Sequence, residues 1–480
     1  MAGLFGVLDV AQRGLAVTQQ GIRVSGHNIA NVGTPGYSRQ RQILETTPPV
    51  ADPSGNLGTG VEQRSIERIT DDFIQSQLLD QGSRAASTDA QARALSLVEQ
   101  VLNEQQGEGV ATALSRLYDA FSDLASTPAP GAPAEREAVR SSAEALIQTL
   151  HGLDAQLRDL QAANNDRVKG LLPEINSIAA RIVDLNVAIA DLETQAPAND
   201  LRDERDRLVR ELATRIDVRT FEQTNGSLVV TVPSGIPLVE GSRLRELDST
   251  SDPGNPFGPN IVRIEHVESG YRIDLTDEIG SGELGGLLRA RDTLIPSAIR
   301  SLDSLAYNLA RQVNAVHSAG TGLDGSVGDF FAALPGVEDA ARDLALDAGI
   351  AANTDRIAAG LTTAPGDNRN ALALAALRDT PAALYLPGDP PGPATGPGRT
   401  LLEHAGAIVA EVGQQARTLG QAGDQQARVL ADLENRRDAV SGVSLDEEMA
   451  QLIQLEAAFQ ANARVMNSVS RMLEDLMSVL

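Results

Sequence analysis

The chain reads as mainly α with a β-rich module in its middle, and three observations predict this. Apolar residues recur in alternating steps of four and three near both ends. Long heptad rows fill the stretches next to those ends. Near Arg215 the period drops to two, and it stays there to about residue 280. Together these predict N- and C-terminal helices paired as a coiled-coil-like rod. A long-helix bundle comes next, and a mixed α+β outer domain is inserted in the middle.

The first element is a helix. Leu4, Leu8, Ala11, Leu15, Thr18, Ile22, Ser25 and Ile29 share one face of it. The first twenty residues have no basic n-region and carry Asp9 inside the apolar stretch, so they do not read as a secretory signal. Gly33, Pro35 and Gly36 stop the helix, and residues 1–38 are read as an axial helix plus a structured turn. On spacing alone that turn is a helix C-cap and loop.

Residues 39–215 open with two short strands, Gln40 to Glu45 and Val61 to Ile69, around the loop Pro48 to Gly60. Asp71 or Thr70 then caps a helix. Val139, Ala143, Leu146, Leu150, Leu153, Leu157 and Leu160 make one heptad row. Ile175, Ile178, Ile182, Leu185, Ile189 and Leu192 make another, with Pro173 between them. The Pro-rich Thr127 to Pro133 is a turn between helices, and the rows predict an antiparallel bundle.

Residues 216–400 are the outer domain. Asn225-Gly226 is a hairpin turn between Ile216–Thr220 and Leu228–Val232. Ile261–Glu265 and Tyr271–Leu275 pair around Ser269-Gly270. A helix follows with Ile299, Leu302, Leu305, Leu309, Val313 and Val316 inward, and Pro387 to Gly398 reads as an exposed linker. Residues 401–440 return to the bundle through Ile408, Val412, Leu419, Val429, Leu433 and Val440.

Residues 441–480 are the C-terminal axial helix. Leu445, Met449, Leu452, Phe459, Ala463, Met466, Leu473, Met477 and Leu480 form its seam, with Leu455 and Val469 beside the interruptions at Glu456 and Ser470. Ser444 and Glu447 have capping-box spacing, and Asp446, Glu447 and Glu448 place negative charge at the positive end of the helix dipole. A seam this long needs a partner helix, and the N-terminal helix supplies a complementary one. Such a nested chain suits a subunit of a tube, with its ends inside and its midpoint outside.

Aromatic residues are 3% of the chain and Trp is absent, which favours aliphatic helix packing over aromatic ligand pockets. The net charge of −25 repels phosphate backbones and anionic lipids, so nucleic acid and membrane are poor partners. No run is long and apolar enough to span a bilayer. With no Cys there is no disulfide framework and no thiolate metal site.

Gly280-Ser-Gly282-Glu-Leu-Gly285 has the spacing of a dinucleotide fingerprint. Glu283, however, would set a carboxylate where pyrophosphate must lie, and the strands before it pair as hairpins. A close turn before a packed helix is the better account. The histidines His27, His151, His266, His317 and His404 lie far apart, without metal-site spacing, and read as surface or cap residues. The sequence therefore offers no catalytic, cofactor-binding or metal-binding residues.

The run from Ser25 to Ser38, with Asn28, Asn31, Thr34, Pro35, Gly36 and Tyr37, resembles the N-terminal signature of the flagellar axial proteins, the rod, hook and hook-associated proteins. Further stretches resemble the hook-associated members. They are Leu201 to Leu208, Ser234 to Val239, Gly282 to Asp292, Val313 to His317, Gly366 to Leu374, Ser441 to Met449 and Ala461 to Met466. The order is kept along nearly the whole chain, and a large outer domain of some relatives is reduced here.

The resemblance implies a non-enzymatic structural subunit at the hook–filament junction, required for filament assembly. It implies export in unfolded form through the flagellar type III apparatus and self-assembly through the paired terminal helices. The implied partners are copies of the chain in a ring or tube, the hook protein, a second hook-associated junction protein and a cytoplasmic export chaperone on the C-terminal helix. Two alternatives stay open: another axial protein of hook or rod, and an intracellular coiled-coil scaffold.

Overall fold

The computed structural model describes residues 2–52, 55–102, 109–126, 131–194, 196–254, 262–268, 271–364, 366–386 and 394–479. Leu480, the turn at 269–270, residues 127–130 of the Pro-rich turn and residues 387–393 of the linker lie outside these.

The chain begins with helix α1 (Ala2–Ala30). Strand β1 (Gln40–Thr46) pairs antiparallel with β4 (Val61–Arg68), and the loop between them carries a small hairpin of β2 (Val50–Asp52) and β3 (Gly55–Leu57). Four helices follow: α2 (Asp72–Leu102), α3 (Val110–Ser126), α4 (Pro133–Leu192) and α5 (Asn199–Arg215). Asp71 caps α2 by accepting from the Phe73 and Ile74 amides at 2.9 and 3.1 Å. Both heptad rows expected from the sequence fall on α4, a single 60-residue helix that runs through Pro173.

The middle is β-rich. One sheet has the order β5 (Arg219–Glu222), β6 (Leu228–Thr231), β7 (Pro237–Glu240), β8 (Arg243–Leu244). Gly226, at φ +80°, turns the first hairpin, a left-handed conformation that costs glycine little. A second sheet places β10 (Val262–Glu268) between β9 (Glu246–Ser251) and β11 (Tyr271–Asp274), all antiparallel.

Helix α6 (Gly282–Arg289) leads through a π turn at 290–294 into α7 (Ile295–His317). Short helices α8 (Ala340–Asp343), α9 (Ala348–Ala352) and α10 (Arg369–Ala376) precede the two-residue strands β12 (Ala382–Ala383) and β13 (Gly398–Arg399). Two long helices close the chain, α11 (Leu401–Ser441) and α12 (Leu445–Val479). Among the described residues no helix is long and apolar enough to cross a membrane.

Residues 216–400 contribute to two cores. The β-sheets, with Val230, Leu238 and Ile264, pack on α5, α6 and the second half of α4 through Ile175 and Ile182. The stretch after Gly320 packs elsewhere. Phe330, Phe331, Leu344 and Leu374 join α3, α7, α11 and the first half of α4 in a larger core. Aliphatic residues dominate both, as the low aromatic content requires.

The glycines of the 280–285 run have a packing role. Gly282 sits at φ +73°, and a Cβ on it would meet the Ile216 backbone at 2.6 Å. Glu283 is buried and paired with Arg167 and Arg215. Two guanidiniums hold its carboxyl below the usual range in spite of burial, which acts the other way and is the largest influence. A buried carboxylate held this way leaves no anion cradle, consistent with a close turn before a packed helix.

The histidines depart from expectation. His266, His317 and His404 are buried, not surface or cap residues. His317 bridges two loops: its Nδ1 contacts the Gly328 carbonyl at 2.8 Å, and its Nε2 accepts from the Ala358 amide at 2.9 Å. Burial lowers the pKa of all three, that of His404 to about 4. Their sequence neighbours gave no sign of this, because tertiary packing sets the surroundings of a histidine. Among the described residues no group of three or more His, Asp or Glu is placed to hold a metal ion.

Candidate assembly site: the paired termini and their clamp

Helices α1 and α12 lie side by side and antiparallel. A Cβ on Gly14 would stand 2.8 Å from the Asn462 amide, and one on Gly21 would stand 3.0 Å from Leu455. The two glycines are a heptad apart, as are their partners. The absent side chains let the backbones approach and fix one register.

On α1 the expected residues Leu4, Leu8, Leu15, Ile22 and Ile29 are half-buried, flanking the fully covered Ala11, Thr18 and Ser25. On α12 the covered row is Glu448, Leu452, Leu455, Phe459, Asn462, Met466, Val469 and Leu473. The expected seam therefore divides. Leu452, Phe459, Met466 and Leu473 are partly covered in the helix pair. Leu445, Met449 and Met477 are exposed, and Leu480 lies outside the described residues. Ile453, Val465, Met472 and Leu476 are exposed on α12 as well, as are Phe5, Val7 and Val10 on α1. Apolar side chains thus remain uncovered along both flanks of the α12 row that packs on α1, of the kind that mark an interaction surface.

The signature turn anchors the base of the pair. Asn28 is buried, and its Nδ2 donates to the Gln40 carbonyl at 2.9 Å. Its Oδ1 accepts from the Gln40 amide at 3.0 Å and from the Tyr37 hydroxyl at 2.7 Å. The helix end is thereby tied to the first strand by a side chain that mimics a backbone pair. Asn31 Nδ2 donates to the His27 carbonyl at 3.1 Å, and Thr34 Oγ1 donates to Asn31 Oδ1. Pro35 and Gly36 complete the turn. Gly36 has φ +85° and faces Arg207 and Arg210. Burial, then the nearby Asp200, Asp203 and Glu448, push the Tyr37 phenol well above its ordinary range, so it stays a hydrogen-bond donor.

Helix α5 braces this turn. The Ser38 amide donates to Asp203 Oδ2 at 2.8 Å, and Arg68 bridges Asp203 and Asp206, each at 2.8 Å. Gln40 Nε2 reaches Asp200, and Asn199 Nδ2 reaches the Ile66 carbonyl. Ten of the seventeen residues of α5 are charged. Asp203 and Arg205 are nonetheless buried on it, so its charges must find partners. That charge density inside an otherwise periodic segment is the sequence signal for Asp203; Arg68, on β4, carries no such signal, and sequence reasoning singled out neither.

The last contact joins the two ends of the chain. Arg39 donates through Nε to Glu448 at 2.6 Å and through Nη1 to Glu447 at 2.7 Å, while its backbone amide donates to the Ser441 carbonyl. The capping box expected of Ser444 and Glu447 is only half made. The Glu447 amide lies 3.5 Å from Ser444 Oγ, and the Glu447 carboxylate pairs with Arg39. A complete capping box stands instead at Thr400 and Glu403, at the start of α11.

Paired terminal helices, a strand-anchored turn and exposed apolar flanks define an axial structural subunit, a class that comparison with known proteins narrows. A family model for the flagellar hook-associated protein FlgK helical domain matches residues 95–331. Another, for the flagellar basal body rod FlgEFG protein C-terminal, matches residues 438–479. The flagellar hook-associated protein 1 of Bacillus subtilis is 26% identical, with 100% of this chain and 99% of that protein covered. That of Escherichia coli is 24% identical, with 98% and 99% covered. The solved structure of the flagellar hook junction protein FlgK from Burkholderia pseudomallei shares the fold. It has a TM-score of 0.65 and 17% identity, covering 76% of this chain and 100% of that one. Along its whole length the chain is similar to flagellar hook-associated protein 1.

Proposed function

We propose that this chain is a structural subunit of the bacterial flagellum, building the junction between hook and filament by packing its terminal helix pair against those of neighbouring copies. The observation that carries this is the pair of uncovered flanks on α12. Ile453 is 61% exposed and Met449 50% exposed on a helix whose other face is already covered by α1. A protein that kept such flanks in water would aggregate, so they have a cover in the working state.

The full-length likeness to hook-associated protein 1 supports a ring or tube of copies set on the hook protein, with a second hook-associated junction protein above it. It also supports passage from the cytoplasm through the type III apparatus to an extracellular site. Before export the same flanks of α12 are the natural seat for a chaperone. The role is mechanical, with no catalysis and no cofactor. Within this reading residues 1–38 and 441–480 are the axial pair, 39–215 and 401–440 the bundle, and 216–400 the outer part.

Ile453→Asp tests the proposal. The side chain is exposed in the single chain, so the subunit should keep its circular dichroism and melting temperature. Cells carrying only this variant should make hooks that bear no filament. Normal filaments on those hooks would show that these flanks are not the assembly surface.

A further inference from the structure

Apart from Met1, every methionine of the chain lies on α12, at positions 449, 466, 472 and 477. Met449, Met472 and Met477 are 50%, 45% and 76% exposed, whereas Met466 is half-buried on the side facing α1. The chain has neither Cys nor Trp. Its soft, readily oxidised side chains beyond the first residue are therefore concentrated on one helix: Met449 and Met472 lie on opposite flanks of the row packed on α1, and Met477, about three turns beyond Met466 on the same side, lies past the start of α1. Methionine suits such positions because its flexible, polarisable thioether can fit more than one covering surface.

We propose that Met449, Met472 and Met477 are separate oxidation positions through which hydrogen peroxide switches off assembly by α12. This rests on the reading of that helix as the assembly surface given above. In the step, a thioether sulfur lone pair attacks one oxygen of the peroxide and the O–O bond breaks. That oxygen stays on sulfur as the sulfoxide, and the other leaves as water with both protons. Sulfur loses two electrons and the peroxide gains them. The product is a polar, chiral group on a flexible stem. In the free subunit water solvates it, so the fold is unaffected. Between packed helices it must shed that water without a built partner, which opposes burial.

The test uses the purified full-length chain, mild hydrogen peroxide, peptide mass spectrometry and incorporation at the ends of isolated hooks. Met449, Met472 and Met477 should each gain one oxygen sooner than Met466. Incorporation should then fall roughly tenfold or more with circular dichroism unchanged, and methionine sulfoxide reductases should restore it. The triple variant M449L/M472L/M477L should incorporate equally well before and after peroxide. Undiminished incorporation of the oxidised parent overturns the inference, as does an equal loss in the triple variant. If the triple variant incorporates poorly from the start, the parent with and without reductase decides alone. Should I453D fail while the oxidised parent succeeds, only this inference falls. Should I453D incorporate normally, the assembly reading beneath it falls.

Discussion

Arg39 and Glu448 stand 409 residues apart in sequence and meet at 2.6 Å, with the Glu448 side chain only 1% exposed. The pair joins the segment after α1 to the first turn of α12. The other oxygen of Glu448 has no hydrogen-bond partner, so Arg39 is what offsets the burial of this carboxylate.

Arg39→Ala therefore strands a buried charge and should destabilise the terminal helix pair by about 3 kcal/mol. Hydrogen exchange on the subunit should show faster exchange in residues 445–476, while α4 is unchanged. The double variant R39A/E448A should be less damaged than R39A alone. Equal damage in both would mean that the pair is not coupled.

Asn28 and Tyr37 share one hydrogen bond but have other partners. Asn28→Ala removes an acceptor for two buried or half-buried donors, and should cost about 1–3 kcal/mol. Tyr37→Phe removes only the hydroxyl. A double-mutant cycle read by urea denaturation should give a coupling of roughly 0.5 kcal/mol or more. Simple additivity would place the hydroxyl elsewhere.

A Cβ on Gly286 would lie 2.4 Å from the Ser87 carbonyl oxygen, at the crossing of α6 and α2. Alanine is the better helix former by roughly 1 kcal/mol, but the obstacle is backbone and cannot swing aside. Gly286→Ala should consequently lower stability by about 1–3 kcal/mol in a urea titration. A stabilised variant would contradict this packing.

Asp303 is buried on α7 and accepts from the Ala341 amide at 2.8 Å. Burial raises its pKa from 3.8 to about 6, with Asp154 and Asp339 adding to the rise. The folded chain thus binds this proton more tightly than the unfolded one. The stabilisation is complete below about pH 4 and is lost as pH rises through about 6. Asp303→Asn keeps an acceptor without the charge. It should be more stable than the parent by about 2 kcal/mol at pH 7 and indistinguishable from it near pH 3.5, by thermal melts. His404 acts with the opposite sign. Its depressed pKa stabilises the fold above the unfolded value of 6.5, an effect lost as pH falls towards about 4.

Much of this molecule follows from local rules. The heptad rows of α4, the Asn225-Gly226 hairpin and the Asp71 cap need only neighbours within a turn or two, so periodicity and turn chemistry state them directly. The four-three rows at both ends likewise announce two amphipathic helices. What the rows cannot say is which flank meets α1 and which is left over. Leu452 and Met449 are equally apolar, and the heptad row treats them alike. The tertiary structure decides, because Gly14 and Gly21 admit Asn462 and Leu455 closely and so rotate α12 about its axis. Arg39, Glu448, Asp203 and the buried histidines are legible only there as well. Their roles depend on desolvation and on partners brought together from distant parts of the chain, and neither is a property of a residue and its sequence neighbours.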